Sequence, residues 1–464
     1  MFTSIRRKSK LRAIAAVAAA GLTALSLAAC SSAAPKPAAT AGVTAATKAD
    51  LTWWGWTPQP TAAEQYIGEF NKKYPNIKIT YKQVTIDGWN AALRPALASS
   101  SGPDLYGINP GLRMDSFAGF ALDLAPAMEA ALGKDWKSKV SPISLSGLTT
   151  AAKKLAAVSV GSTFAGSVWI NKDLFDKYKL TPPTTITEWE NVCSVFAKNG
   201  VTCFVQGAAQ TAFNRDTLQA ITDSLEPGLW VKAEKGEKKW TSPNIVKALT
   251  IWKKLFSDGI MQKGALGVQQ YPDANNEFMA GRSAMVMMGT WYMQYATTKG
   301  MVPAISAAGV ASPKPFPIIP IPFPSATGTP SKSFTLYGDS DYGLAVNSKS
   351  PNKAAATAFA VFLGTTKQGQ QQVADVLNDI PSLNGIAPNW AAIDMPDASV
   401  QKPALETLIK ESGLSKAPRL ALVGSDLGTA IGVASTTVAE GQATPEAAAK
   451  TMQASAEAAG IVFK

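Results

Sequence analysis

Apolar side chains at Tyr66, Ile67, Phe70 and Tyr74 have the spacing of one helix face, and Pro75 closes the run. Just ahead, Thr61-x-x-Glu64 has the form of a capping box, with Pro60 before it. On either side the pattern changes to strand: Leu51–Trp54 first, then Ile77, Ile79 and Tyr81 in alternation. A second helix is expected over Trp89–Ser99, with Pro95 bending it or ending its first turn. Pro103–Ile108 supplies a third strand. Strand and helix alternating at this pitch predict a parallel sheet with helices on its faces. In such sheets ligands bind beyond the carboxyl ends of the strands, here Trp54–Trp56 and Asn109–Gly111.

A second α/β unit starts near Lys154–Val158, after which Gly161, Gly166 and the small residues between them suit a hinge. Ser167–Phe175 runs from strand into helix, and Pro182-Pro183-Thr184-Thr185 precedes a helix over Glu188–Lys198. Ser242-Pro243 opens another, with Val246, Leu249, Trp252 and Phe256 as its apolar stripe. Trp189 and Trp252 read as core. The run Ala284–Met288 does not alternate, as expected of a strand buried on both faces. Gly289 breaks it, allowing a sharp turn or a close approach, and Trp291 follows at once. Pro313–Pro324 is too rich in proline for a helix and is expected to be an extended strap. Asp339–Val346 returns to strand, and the alanine-rich helices from Pro351 to the end look like scaffold.

Five basic residues (Arg6, Arg7, Lys8, Lys10, Arg12), an apolar stretch from Ala13 and the ending Leu27-Ala28-Ala29-Cys30 describe an export signal over residues 1–29. The ending resembles a lipobox, which makes Cys30 the expected lipidated residue and the outer face of the cell membrane the expected location. Residues 30–50 hold one branched aliphatic, Val43, and read as a flexible tether. Without the signal, 39 basic residues stand against 33 acidic with no basic stripe, so nucleic acid is not an expected partner. The chain has no histidine, which excludes Ser-His-Asp and Cys-His catalysis and every histidine metal site. No metal and no cofactor is expected. Cys193 lies on a helix and Cys203 on the strand after a tight turn at Asn199-Gly200. A helix and strand joined by a tight turn pack together, so their sulfurs could meet in an oxidising compartment, and a disulfide is expected over two buried free thiols.

Five segments, in order, carry a resemblance to a known family: WWGW with its helix, GPDLYGIN, VWINKDLF followed by PPTTITEWE, FMAGRSAMVMMGTW, and YGLAVNSKSPNKAAATAFAVFL. Together with GQATPEAAAKTMQ near the end, they resemble the extracellular solute-binding proteins of carbohydrate ABC importers, the maltose-binding-protein-like group. The resemblance implies an α/β, two-lobe periplasmic-binding-protein-like fold (type II) with three inter-lobe crossings, near 158–163, 284–290 and 337–342. The expected lobes are 51–160 with 288–338, and 161–287 with 339–464. It implies a monomeric lipoprotein, not an enzyme, that delivers a mono- or oligosaccharide to the permease subunits of an ABC importer.

A sugar ring has an apolar C–H face and a rim of hydroxyls, so a binder needs flat aromatics with acids, amides and arginine around them. Trp291 stands at the family's cleft tryptophan. The other candidates are Trp54, Trp56, Asn109, Trp169, Asp339, Asp341 and Tyr342 at strand ends and crossings, with Phe213, Asn214, Arg215 and Trp230 from looser stretches. No aromatic stands near Gly428, where the maltose binder has another cleft tryptophan, so maltodextrin is not the implied ligand. Two alternatives remain: the same fold holding a polyol phosphate, polyamine or metal complex, or a secreted glycosidase using Asp339 and Asp341. The second suffers because carboxylates two apart on a strand point the same way and cannot flank a bond.

Overall fold

The computed structural model describes residues 42–422 and 424–464. The export signal, Cys30 and most of the tether lie outside these residues. The described residues form twelve strands: β1 (Ala49–Gly55), β2 (Ile77–Gln83), β3 (Leu105–Ile108), β4 (Val158–Ser159), β5 (Gly161–Ala165), β6 (Ser167–Asn171), β7 (Thr202–Val205), β8 (Ser283–Met288), β9 (Ile318–Pro322), β10 (Tyr337–Ser340), β11 (Gly343–Val346) and β12 (Ile380–Pro381).

The first lobe is built on a sheet of order β2-β1-β3-β11-β4. Its first three strands run parallel, as the strand–helix alternation requires, and β11 returns antiparallel between β3 and β4. Trp53, Phe70 and Phe359 meet at ring distances of 5.1 and 5.4 Å in its core, which ties the helix Pro60–Lys73 to the later helix Lys353–Thr365. The helix at residue 60 begins with proline at its first position and Gln59 as N-cap, not with the Thr61 capping box. The fixed φ of Pro60 suits that position and moves Thr61 inside the first turn. Pro95 neither ends nor shortens its helix, which runs from Trp89 to Ala98. The tether is shorter than expected: Ala49 and Asp50 already pair with Ile77 and Lys78.

The second lobe carries the sheet β7-β8-β6-β9. β8 lies inside it, parallel to β7 and antiparallel to β6, and all six of its residues are buried. Ala284–Met288 is therefore the doubly buried strand that its pattern indicates, but it is not a crossing. The proline strap becomes β9, an edge strand on β6, where Pro320 and Pro322 are tolerated because one side of an edge strand needs no donors. The Cys193–Cys203 disulfide is formed, with Cα atoms 5.0 Å apart, joining the helix Ile186–Lys198 to β7.

A third small sheet, β10-β5-β12, holds the crossings. The chain leaves the first sheet after β4, passes through β5 and enters the second at β6; it returns through β10 to β11, and crosses last beyond β12. This corrects the expected lobe boundaries. Residues 288–338 contribute β9 to the second sheet, and residues 343–346 contribute β11 to the first. The middle crossing lies at β10 rather than at 284–290.

Candidate functional site

β1 and β3 end side by side, and the chain beyond each supplies one half of a cluster at the hinge. Trp56 follows β1; Asn109 and Arg113 follow β3. The Arg113 guanidinium lies 4.9 Å from the centre of the Trp56 ring, an arrangement in which cation and ring quadrupole attract. Arg113 donates to the Asn109 Oδ1 at 3.4 Å and to the Ile86 carbonyl at 3.3 Å, both long, while its buried Nε has no partner among the described residues. Burial, and next the nearby charge of Arg419, push the Arg113 pKa down to about 10.

The second lobe presents the same couple. Trp291 is half-buried just beyond β8, and the Arg419 guanidinium sits 4.6 Å from its ring centre. Gly289 allows the Trp291 ring to fold back: a Cβ there would stand 2.1 Å from that ring and 2.2 Å from the Phe164 carbonyl. The indole N–H donates to the Tyr271 hydroxyl at 3.2 Å, and Phe213 lies edge-on at 6.4 Å. Arg419 is fixed by a bidentate pair with Asp216, at 2.9 and 2.6 Å. Across the cleft, Gln59 donates to the Tyr295 hydroxyl at 3.1 Å, and Gln210 donates to Asp87.

Between the couples lie the acids of the crossings. Asp341 accepts from the Thr163 hydroxyl at 3.0 Å, and its N–H donates to the Gly161 carbonyl. Asp379 is its close carboxyl neighbour, and burial raises both pKa values above the usual carboxylate range. Asp339 has another task. Its Oδ2 accepts the N–H groups of Arg419, Leu420 and Ala421, pinning that segment to β10. Burial nevertheless pushes its pKa up to about 6.

The structure thus brings Trp56, Asn109, Trp291, Asp341 and Phe213 to one cleft. Tyr342 is fully buried beneath it, 6.3 Å edge-on from Trp56. Trp54 is half-buried on the sheet with the Lys82 ammonium 4.0 Å over its ring. Trp169 and Trp230 are core: both are buried, and their indole N–H groups donate to the Gly289 carbonyl and to Glu234. Asn214 is fully buried and spends its amide on Gln206, Ala208 and Ser435. Arg215 is buried behind the cleft wall, 3.9 Å from Asp216. Arg113, Arg419, Tyr271 and Asp379 are cleft residues that the sequence did not single out. Arg113 alone carries a usable signal, four residues after Asn109 at the end of β3. A cavity of about 470 Å³ lies between Gly111, Met114 and Gly147 of the first lobe and Ala421 and Leu422. A larger one of about 850 Å³ surrounds the disulfide, and the cleft tryptophans and arginines line neither.

Two α/β lobes joined by a three-stranded hinge, each carrying an aromatic–arginine couple, define a two-lobe solute-binding protein. The chain belongs to the bacterial extracellular solute-binding protein family, whose model matches residues 53–370. An uncharacterised ABC transporter extracellular-binding protein of Pyrococcus horikoshii is 24% identical over 267 residues, 56% of this chain and 59% of that relative. Among solved structures, a protein studied for xylan utilisation by Caldanaerobius polysaccharolyticus is 22% identical with a TM-score of 0.69, covering 87% of this chain and 99% of that one. The cycloalternan-bound ABC substrate-binding protein Lmo0181 of Listeria monocytogenes has a TM-score of 0.65 at 19% identity, covering 90% and 100%. Maltose-bound MalE3 of T. maritima has 0.63 at 19%, covering 89% and 100%. These likenesses establish the type II two-lobe fold.

Proposed function

We propose that the protein is the substrate-binding lipoprotein of an ABC importer, which takes a mono- or oligosaccharide into the cleft and delivers it to the membrane permease. The observation that carries this is Trp291, half-buried beyond β8 among Phe213, Tyr271 and Arg419, with a second arginine–tryptophan couple, Arg113 on Trp56, in the first lobe. Flat apolar rings bordered by guanidinium, amide and carboxyl groups match the C–H face and hydroxyl rim of a sugar. The saccharides named for the similar structures, cycloalternan and maltose, fit the same chemistry. The hinge of β10, β5 and β12 suits closure of one lobe on the other around the ligand, and the closed form is the one that docks on the permease.

The sequence before the described residues supports an anchor at Cys30 holding a monomer at the outer membrane face; stable holding takes two or more acyl chains, or one with a further signal. The protein is not a catalyst in this reading. One oxygen of Asp339 is spent on three backbone N–H groups, and Asp341 is turned to Thr163, so the two do not flank a bond. Calorimetric titration with a saccharide panel tests the proposal: heat from a sugar supports it, while tight binding of a polyamine or polyol phosphate with none from sugars overturns it.

A further inference from the structure

The cleft holds more charge than a sugar needs, and how that charge is answered narrows the ligand. Arg419 is paired with Asp216, which Arg215 also approaches at 3.9 Å. Arg113 has no carboxylate at ion-pairing distance among the described residues. Its two bonds go to neutral carbonyl oxygens, and its buried Nε is unpartnered among the described residues. An arginine so placed invites an anion, either from the ligand or from the protein.

Position identifies the protein's own anion. Asp341 is bonded to Thr163, whose neighbour Phe164 donates its N–H to Thr290, the residue before Trp291. On the other side Tyr342, next to Asp341, meets Trp56 edge-on at 6.3 Å. Asp341 is therefore strung between the two couples, and its charge bears on both guanidiniums. Asp379 faces it, donated to by the Asn378 amide at 2.6 Å. Burial raises both carboxyls, and two adjacent buried carboxyls disfavour a second negative charge between them. The phenols of Tyr66 and Tyr342 that face the pair are raised by burial and stay neutral. Asp87, the remaining acid near Arg113, is exposed at the rim, where solvent screens it. Arg419 and Arg215 both draw on Asp216, and the buried acid whose charge bears on Arg113 is Asp341, beside Asp379.

On the saccharide reading given above, we infer that Asp341 is a specificity-determining residue: as the carboxyl set between the two arginine–tryptophan couples it restricts the cleft to uncharged saccharides and disfavours their uronate counterparts. A neutral sugar uses the guanidinium N–H groups as donors to its hydroxyls and leaves the balance intact. A uronate adds an unanswered negative charge as the lobes close, and such a charge is costly away from water.

The test is calorimetry near pH 7 at fixed ionic strength with pairs differing only in oxidation at C6: glucose and glucuronate, galactose and galacturonate, galactobiose and digalacturonate. The native protein should bind the neutral member tighter, by about tenfold or more. Asp341→Asn keeps a partner for Thr163 but leaves the cleft one charge positive, and should move the neutral-to-uronate preference toward uronate by about tenfold or more. Adding Arg113→Gln to Asp341→Asn should restore the preference. If Asp341→Asn fails to fold, Arg113→Gln alone must widen the preference for the neutral member. Tighter uronate binding by the native protein overturns the inference and leaves the saccharide reading standing. So does an Asp341→Asn effect equal for both members of a pair. Heat from no saccharide in any pair overturns the saccharide reading and the inference with it.

Discussion

Replacing Arg419 by alanine strikes the residue that joins the cleft to the second lobe. The side chain is 13% exposed and its partner Asp216 only 2%. Truncation removes two charge-assisted bonds and leaves the Asp216 carboxylate in the protein interior. Breaking a buried pair in this way costs about 3–5 kcal/mol, mostly through the charge left behind. Arg215 stands 3.9 Å from Asp216 and offers a weaker substitute, which sets the expectation at the low end. Loss of the stack on Trp291 adds about 0.5–1 kcal/mol. Arg419→Ala should therefore destabilise the second lobe by about 3–4 kcal/mol, measured by guanidinium chloride unfolding followed by tryptophan fluorescence. Adding Asp216→Asn to Arg419→Ala removes the stranded charge and should recover a large part of that loss. A loss below about 1 kcal/mol for Arg419→Ala, or strictly additive effects in the double variant, would refute the buried-pair reasoning.

The disulfide closes a loop with a sequence separation of 10, so chain entropy puts its contribution at about 2.7 kcal/mol. Cys193→Ser with Cys203→Ser should lower the thermal midpoint to that extent, and an unchanged midpoint would contradict the estimate. Asp339 and Glu234 are buried acids held up at about 6 and about 8, burial being the main cause in each. The folded state keeps protons that the unfolded chain releases nearer 3.8 and 4.5. Their stabilising contribution is therefore complete at low pH and is lost as pH rises through 6 and then 8. The thermal midpoint should fall from pH 5 to pH 8, and Glu234→Gln should flatten the upper part of that fall; a profile unchanged by the substitution would contradict the assignment.

Most strands and helices were legible because local pattern reports burial directly. Ala284–Met288 shows both the reach of that signal and its end. Its unbroken apolar run identified a strand buried on both faces, but the same run fits a crossing and the interior of a sheet equally well. Only the pairing with β6 and β7 decides. Likewise, the proline strap was legible as extended, while its place at the edge of a sheet depended on β6. In the site, Trp56 and Trp291 stood out because a tryptophan beyond a strand end and a glycine is locally conspicuous. Trp169, a candidate at a strand end, and Trp230, one from a looser stretch, proved to be core, since residue type does not say which way a ring points. Arg419 was illegible: APRLALVG has no periodicity or motif, and its role arises from Asp216, Asp339 and Trp291, all distant in sequence.

The central claim is that a saccharide is held against Trp291 between the lobes, and calorimetry of the native protein and Trp291→Ala with the best-binding sugar of a panel tests it most directly. Truncating a central aromatic anchor costs about 2 kcal/mol or more, roughly thirty-fold in affinity. The account predicts a weakening of at least that size with the thermal midpoint little changed, because the ring is only half-buried. An unchanged dissociation constant would remove Trp291 from the site and contradict the account.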